Sequence, residues 1–469
     1  MRPLSRSFAI QMLTLLLAVF QISASLAQTK PAVPAQPGSS LTSGKPGDVS
    51  LPPVGAGHYT APVIGIPAFD LEGGAGGVSP AFFPQVIYGD LTMLSDFKKA
   101  NDSFVEETHR HDQRLQSKDT VDYAEWGRVQ CDFVLKGTFS VDSRGRISAE
   151  CRLFDTISRT RTFGLKFKEY PVANARDLAH KISDAVVSHV FGKEAVGIAS
   201  TKIAYVGRTP EGKKEVFVMD ADGSNVRQVT FDKSLVATPC WGANATEIYY
   251  TSWRDVNPDL WGVQLGAGTT WPVSRRPGLN YTASWNQKIG RIALTLGRDG
   301  NSEIYTMERS GNERTLVRLT RTPAIDSSPS WSPDGAQIVF QSDRTGGPQI
   351  WMMNADGSNP RRLTSRGTYN DAPMWSPKGD RIAWVARDQG RLDIYTMDLN
   401  GGGIMQLTNG PGKNEDPCWA PDGEHVAFSS NRTGNYEIYV MRHGDISSVQ
   451  RLTTSREATS PAWSPVLGQ

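Results

Sequence analysis

The chain has 469 residues, 38% of them hydrophobic and 21% charged, with 50 Lys and Arg against 48 Asp and Glu. That near balance argues against a nucleic-acid partner held by phosphate neutralisation. The length allows two or three domains, each with a sizeable core.

Residues 1–27 start with Arg2 and Arg6, continue as an apolar run from Phe8 to Phe20, and end with the small residues Ser25 and Ala27 at a cleavage-like site. This is the pattern of a secretory signal peptide. The run is too short, and too interrupted by Gln11 and Thr14, for a spanning helix, and no Cys stands at the cleavage point to carry a lipid. The expectation is a soluble exported protein with 48 charges of each sign. Residues 28–59 are rich in Pro, Gly, Ser and Ala, and this composition cannot bury a core, so they read as a flexible tether.

Residues 60–195 read as a compact mixed α/β domain. Val63 to Phe69 is the first expected strand, and Gly73 to Gly77 is a loop. Ile87, Leu91 and Leu94 fall on one helical face, which predicts a helix from Pro84 to Lys99. A short helix over Val121 to Arg128 is expected with Asp119 or Thr120 as its cap. Ile147, Ala149, Cys151 and Leu153 alternate as a strand, and Phe163, Leu165 and Phe167 repeat the pattern. Asn174 heads a last helix, with Leu178, Ile182, Ala185 and Val186 facing inward and a stop near Gly192. Residues 194–200 leave no long linker before the next domain.

From residue 201 to 469 the sequence repeats itself. Ser-Pro-Ser-Trp331-Ser-Pro-Asp-Gly, a b strand Gln337 to Phe340, a c strand Gln349 to Met353 and an Arg362-Leu363-Thr364 ending form one unit. Trp241, Trp285, Trp331, Trp375, Trp419 and Trp463 mark six copies, spaced 44, 46, 44, 44 and 44 residues apart. Short strands at that period, separated by Gly, Pro, Asn and Asp turns, predict a six-bladed β-propeller. The first b strand, Ile203 to Val206, has no Trp strand before it, and the last Trp strand has no b strand after it. The C-terminal strand is therefore expected to complete the first blade and cover its open edge.

Four cysteines in an exported chain suggest disulfides, but the positions oppose it. In a hairpin centred on Asp142 to Gly145, Cys131 and Cys151 fall about five residues out of register, roughly 17 Å at ~3.4 Å per residue. Cys240 and Cys418 belong to blades that are not neighbours. Four free, buried thiols are expected.

A signal-like segment, a small α/β domain and six Ser-Pro-x-Trp-Ser-Pro-Asp-Gly blades together resemble the TolB family, periplasmic components of the Tol-Pal envelope system. The matching residues are Ile64 to Phe69, Gly89 to Phe97, Asp132 to Gly137, the junction running into Ile203 to Val206, and Pro461 to Pro465. The resemblance implies a non-enzymatic, monomeric adaptor without a cofactor. It implies that the propeller binds the peptidoglycan-associated lipoprotein Pal and that the N-terminal segment binds the inner-membrane protein TolA, supporting outer-membrane integrity and cell division. Residues 28–59 depart from the family's short N-terminal interaction strand, of which Asp48 to Leu51 is a candidate remnant.

The six tryptophans are expected core. The loops that lead into them vary between blades, and loops on a rigid scaffold carry function. Asn280, Tyr281, Thr282, Asp326, Ser327, Ser328, Asn370, Asp371, Asn414, Glu415, Asp416, Arg456 and Glu457 are expected to converge near the channel mouth. Of these, Tyr281, Thr282, Asp326, Ser327, Asp371, Glu415, Asp416, Arg456 and Glu457 are the candidate partner-binding set. Asp220 to Asn225 and Asn354 to Asn359 look like calcium-loop fragments but lack the downstream Glu, and Asp-Gly turns explain them. His109-Arg110-His111-Asp112 offers two ligands in a charged, surface-like stretch without a third. A serine-peptidase reading fails for want of a Gly-x-Ser-x-Gly elbow. The remaining alternative is a propeller enzyme or small-ligand binder using Asp326, Asp371 and Asp416 as acid/base groups.

Overall fold

The computed structural model describes residues 61–466 except 94–95, 116–118, 193–195, 389 and 455–456. The signal segment, the tether and Arg456 lie outside the described residues.

The first domain is a mixed sheet of β1 (Val63–Gly65), β2 (Asp70–Leu71), β3 (Lys98–Lys99), β4 (Phe133–Val141), β5 (Arg146–Asp155) and β6 (Thr160–Pro171). Its order is β3-β1-β4-β5-β6 with β2 beside β4. Alternation sorts its two faces. Leu135, Phe139, Ile147, Ala149, Cys151 and Leu153 pack under helices α1 (Phe82–Met93) and α4 (Ala175–Val190). Val134 and Phe154 pack on the other side, against α2 (Asp102–Asp112) and α3 (Tyr123–Arg128) through Val105 and Trp126. Gly137 is required where it stands, because a Cβ there would lie 2.1 Å from the Phe69 ring.

Several local expectations are corrected. The first strand ends at Gly65, and the Ile66 N–H turns away to donate to the Tyr88 hydroxyl at 2.6 Å. The first helix stops at Met93, and Lys98–Lys99 becomes a strand because the Lys98 and Ala100 N–H groups reach the carbonyls of Pro62 and Ile64 beside β1. The cap of α3 is Asp122, whose carboxylate accepts from the N–H groups of Ala124 and Glu125. His109 to Asp112 is no surface stretch but the end of α2, with His109 and Asp112 buried. Buried Asp112 accepts the Trp126 indole N–H at 2.8 Å and the Asp122 N–H at 2.7 Å, so one carboxylate ties α2 to α3.

The second domain is a ring of six four-stranded antiparallel sheets, each ordered a-b-c-d from the axis outward. Blade 1 takes strand a from the chain's end: Ala458–Trp463 pairs antiparallel with Lys202–Arg208. Blades 2 to 6 begin with strands a at Val236–Trp241, Asn280–Asn286, Asp326–Trp331, Asn370–Trp375 and Asn414–Trp419. The Leu-Thr endings have a mechanical reason. In five blades the hydroxyl of Thr230, Thr320, Thr364, Thr408 or Thr453 accepts the N–H of Val216, Ile304, Ile350, Ile394 or Ile438 in strand c of the same blade at 2.8–2.9 Å. The Asp-Gly turns do likewise: Gly357 at φ +86° lies so near the Leu319 carbonyl of the preceding blade that a Cβ would approach it to 2.6 Å.

Three pairs of adjacent blades are stitched around the axis by the residue before the Trp. Ser284 Oγ accepts the Trp331 N–H at 3.2 Å, Ser330 Oγ the Trp375 N–H at 3.0 Å, and Cys418 Sγ the Trp463 N–H at 3.0 Å. Five of the six repeat tryptophans are buried, but Trp285 is half-buried, its indole N–H donating to partly exposed Gln287. All four cysteines are free thiols; Cys240 is only half-buried, and Cys151 stands opposite Gly137, not Cys131. Among the described residues no helix is long and apolar enough to cross a membrane.

Trp331→Ala should cost about 3–5 kcal/mol by cavity formation, and Trp285→Ala less than half of that. Urea unfolding of both variants checks the difference, and equal losses would contradict the burial contrast.

Candidate functional site

The channel mouth is shaped by one irregularity repeated six times. Each strand a carries a bulge, and its first extra residue has positive φ: Thr238, Thr282, Ser328, Ala372, Asp416 and Ser460, all between +44° and +53°. Such a bulge bends the strand and re-aims its side chains. A Pro follows in every blade but blade 3, where Ala283 takes its place. The first residue of strand a is thereby sent into the blade, and the next two are left half-buried at the mouth.

This divides the candidate residues. Asn280, Asn370 and Asn414 are buried in their own blades. Asp326 is corrected from a mouth residue to a brace: it is fully buried and takes a two-pronged bond from Arg344, at 2.9 and 3.0 Å. Glu457 is also spoken for, receiving Arg208 Nε at 2.8 Å and Lys214 Nζ at 2.7 Å. Burial opposes its ionisation, but the two cations outweigh it and hold its carboxyl below the usual range.

What remains at the mouth is Tyr281 and Thr282 from blade 3, Ser327 from blade 4, Asp371 from blade 5, and Glu415 with Asp416 from blade 6. Three carboxylates in this group have pKa values pushed up. Burial is the main cause for each. The charge of Asp416 adds to it at Glu415, and that of Asp371 adds to it at Asp416. Hydroxyl donors soften the cost: Tyr369 donates to Asp371 at 2.9 Å, Tyr436 donates to Glu415, and Ser460 donates to Asp416 at 3.1 Å. Across the channel, burial raises the pKa of the Tyr281 phenol, and the fields of Asp416 and Asp371 raise it further. Trp253 packs edge-on against the Tyr281 ring with centroids 6.4 Å apart. The mouth thus has an aromatic side on blades 2 and 3 and an acidic side on blades 5 and 6.

One series in the sequence was legible but unused. Arg208, Arg254, Arg298, Arg344, Arg387 and Arg432 close strand b of each blade at nearly the repeat spacing. Arg344 and Arg432 reach the first residue of their own strand a, the latter at Asn414 Oδ1, 2.8 Å. Arg254 reaches Asp232 at 2.9 Å, and Arg387 covers the Tyr369 ring at 4.9 Å. These arginines fix loops at the mouth.

A small α/β domain set before a six-bladed propeller, whose bulged inner strands present an acidic and aromatic mouth, defines a propeller-scaffold module with a preformed face. The TolB amino-terminal domain model matches residues 53–162, and the TolB β-propeller domain model matches 193–392 and 369–467. The chain belongs to the TolB family. A Tol-Pal system protein TolB of Desulfosudis oleivorans is 35% identical over 204 residues, 43% of this chain and 44% of the relative, so the match spans less than half of that protein. The crystal structure of TolB from Acinetobacter baumannii superposes with a TM-score of 0.74 at 24% identity, covering 87% of this chain and 97% of that one, a likeness of fold.

Raised carboxyl pKa values mean that the folded protein holds these protons more tightly than the unfolded chain, so stability falls as pH rises through the raised values. Asp371→Asn/Asp416→Asn should therefore melt higher than wild type at pH 7. The gap should close as the pH falls and the wild-type carboxyls take up protons; a lower melting temperature at pH 7 would contradict it.

Proposed function

We propose that this chain is a non-enzymatic periplasmic adaptor of the Tol-Pal system, binding the peptidoglycan-associated lipoprotein Pal at the channel mouth. The observation that carries this reading is the mouth itself: Asp371, Glu415 and Asp416 sit half-buried, held by hydroxyls and, among the described residues, without a direct ion pair to a cation, opposite Tyr281 and Trp253. Carboxylates kept partly desolvated and rigid suit a partner that brings its own donors, and aromatic residues are favoured anchors at interfaces. Residues 1–27, read as a signal peptide, support the compartment, and the family supports the system. The N-terminal region reaches a TolA-like inner-membrane protein, and the linkage serves outer-membrane integrity and division.

Raised carboxyl pKa values also favour a second reading, a propeller enzyme with Asp371 and Asp416 as acid and base. One pull-down separates the two. Full-length wild type incubated with envelope extract should retain a peptidoglycan-binding lipoprotein. Asp371→Lys/Asp416→Lys should lose at least about tenfold in affinity, ~1.4 kcal/mol, while the folded Asn pair keeps most of it. Retention by the lysine pair at wild-type strength would reject the mouth as the interface. Turnover of an envelope glycan that either Asn substitution abolishes would favour the enzyme. Truncation to start at Thr60 should spare Pal and release the TolA-like protein.

A further inference from the structure

At the end of the ring where strands a finish, the first domain touches blades 1 and 6. Arg442 Nη1 donates to Asp96 at 2.7 Å, and Gln450 Nε2 donates to the Thr92 carbonyl at 3.3 Å. The centre of the junction is buried and ionic. His180 on α4 is 2% exposed; its Nδ1 lies 2.9 and 3.0 Å from the Asp90 carboxylate on α1, and its Nε2 lies 3.6 Å from Asp220 Oδ2 in blade 1. The imidazole is thus wedged between a carboxylate of each domain.

The surrounding charges decide its state. From α1 comes Asp90, and from α4 come Arg176, Asp184 and the Ser183 hydroxyl, which donates to Asp90 at 2.6 Å. From blade 1 come Lys202, Asp220, Asp222 and the amide of Asn225. Asp184 is occupied by the N–H groups of Ala199 and Ser200 in the connection between domains. Arg176 pairs with Asp222 and lies 3.5 Å from Asp220, and Lys202 pairs with Asp220 at 2.7 Å. The three carboxylates Asp90, Asp220 and Asp222 therefore meet two permanent cations. Burial pushes the Asp90 carboxyl up against the pull of His180 and the Ser183 hydroxyl, whereas His180 and Lys202 hold Asp220 low, so a protonated His180 supplies the third cation facing these groups.

We propose that protonated His180 is a titratable clasp between the α/β domain and the propeller, holding the domains together at neutral and mildly acidic pH and releasing them as the solution becomes alkaline. A proton on each ring nitrogen lets one side chain face both carboxylates as a cation. Loss of either proton leaves a neutral ring between negative groups, and buried unpaired charge is costly. Burial alone would strip the proton, but the carboxylates of Asp220 and Asp90 outweigh it, raising the pKa to about 9. Because the folded value lies above the ordinary 6.5, the contribution is complete below pH 6.5 and is lost as pH rises through about 9. Through the full titration the closing equilibrium should weaken roughly 300-fold, a factor of ten for each unit between 6.5 and about 9. The clasp is independent of which partner occupies the mouth.

The test uses the full chain with 13C-labelled histidine, the His180 ring signal being assigned by its disappearance in His180→Gln and His180→Asn. Its midpoint should stand near 9. In parallel, backbone hydrogen exchange at Ala199, Ala221 and Gly223 is compared with His180→Gln at each pH, which cancels the intrinsic pH dependence. Wild type should be the better protected at pH 6 by tenfold or more, with the advantage gone by pH 10. A midpoint at or below 6.5 would overturn the clasp, as would the same protection ratio at pH 6 and pH 10. Should neither His180 variant fold, Asp90→Asn provides the assignment by moving that one resonance to a lower midpoint, and an unmoved spectrum counts against the proposal.

Discussion

Six sheets can meet around a narrow axis only if their inner strands approach closely, and that crowding governs the rest of the molecule. The residue before each Trp must be small or soft: Cys240, Ser284, Ser330, Met374, Cys418 and Ala462 fill the six positions. Ser284, Ser330 and Cys418 each take the N–H of the next blade's Trp, so the ring is closed by side chains as well as by strands. The bulge lies two residues earlier in each strand a, where it bends the strand and re-aims its side chains. The bulge thus fixes which side chains stand at the mouth.

The two ends of the ring handle acidic groups in opposite ways. At the mouth, Asp371 and Asp416 are held by hydroxyls and the N–H groups of Ala372 and Ser460, yet burial keeps their carboxyls above the usual range. At the junction, Asp220 also suffers from burial, but the bonds from His180 and Lys202 outweigh it and hold its carboxyl far below the usual range. One end keeps unspent affinity for donors. The other uses its donors to join two domains.

The ring was legible because it repeats: six tryptophans, six strand-d endings and a phase offset between them are enough to derive the blades and their closure. The mouth was half legible. A repeat shows which loop lies where but not which of three consecutive side chains a bulge turns inward, so Asp326 and Asp371 looked alike although one is a buried brace and the other lines the channel. The helix at Asp102–Asp112 was missed because polar groups hold it: Phe104 is exposed, while Asp112 and His109 are buried. The junction was invisible for a different reason. Asp220 and Asp222 read as turn residues, which they are, and nothing local announces that His180 will be brought to them by the fold.

The pairing of Ala458–Trp463 with Lys202–Arg208 also sets an order of events. Blade 1 holds the earliest strands of the ring, yet it waits for the last few residues of the chain, a contact spanning more than 250 positions. Such distant contacts are slow to form. The surface on which the α/β domain rests is built from blades 1 and 6, so the domain made first acquires its seat last. The edge of Lys202–Arg208 that faces the axis therefore has no partner strand until Ala458–Trp463 has been made.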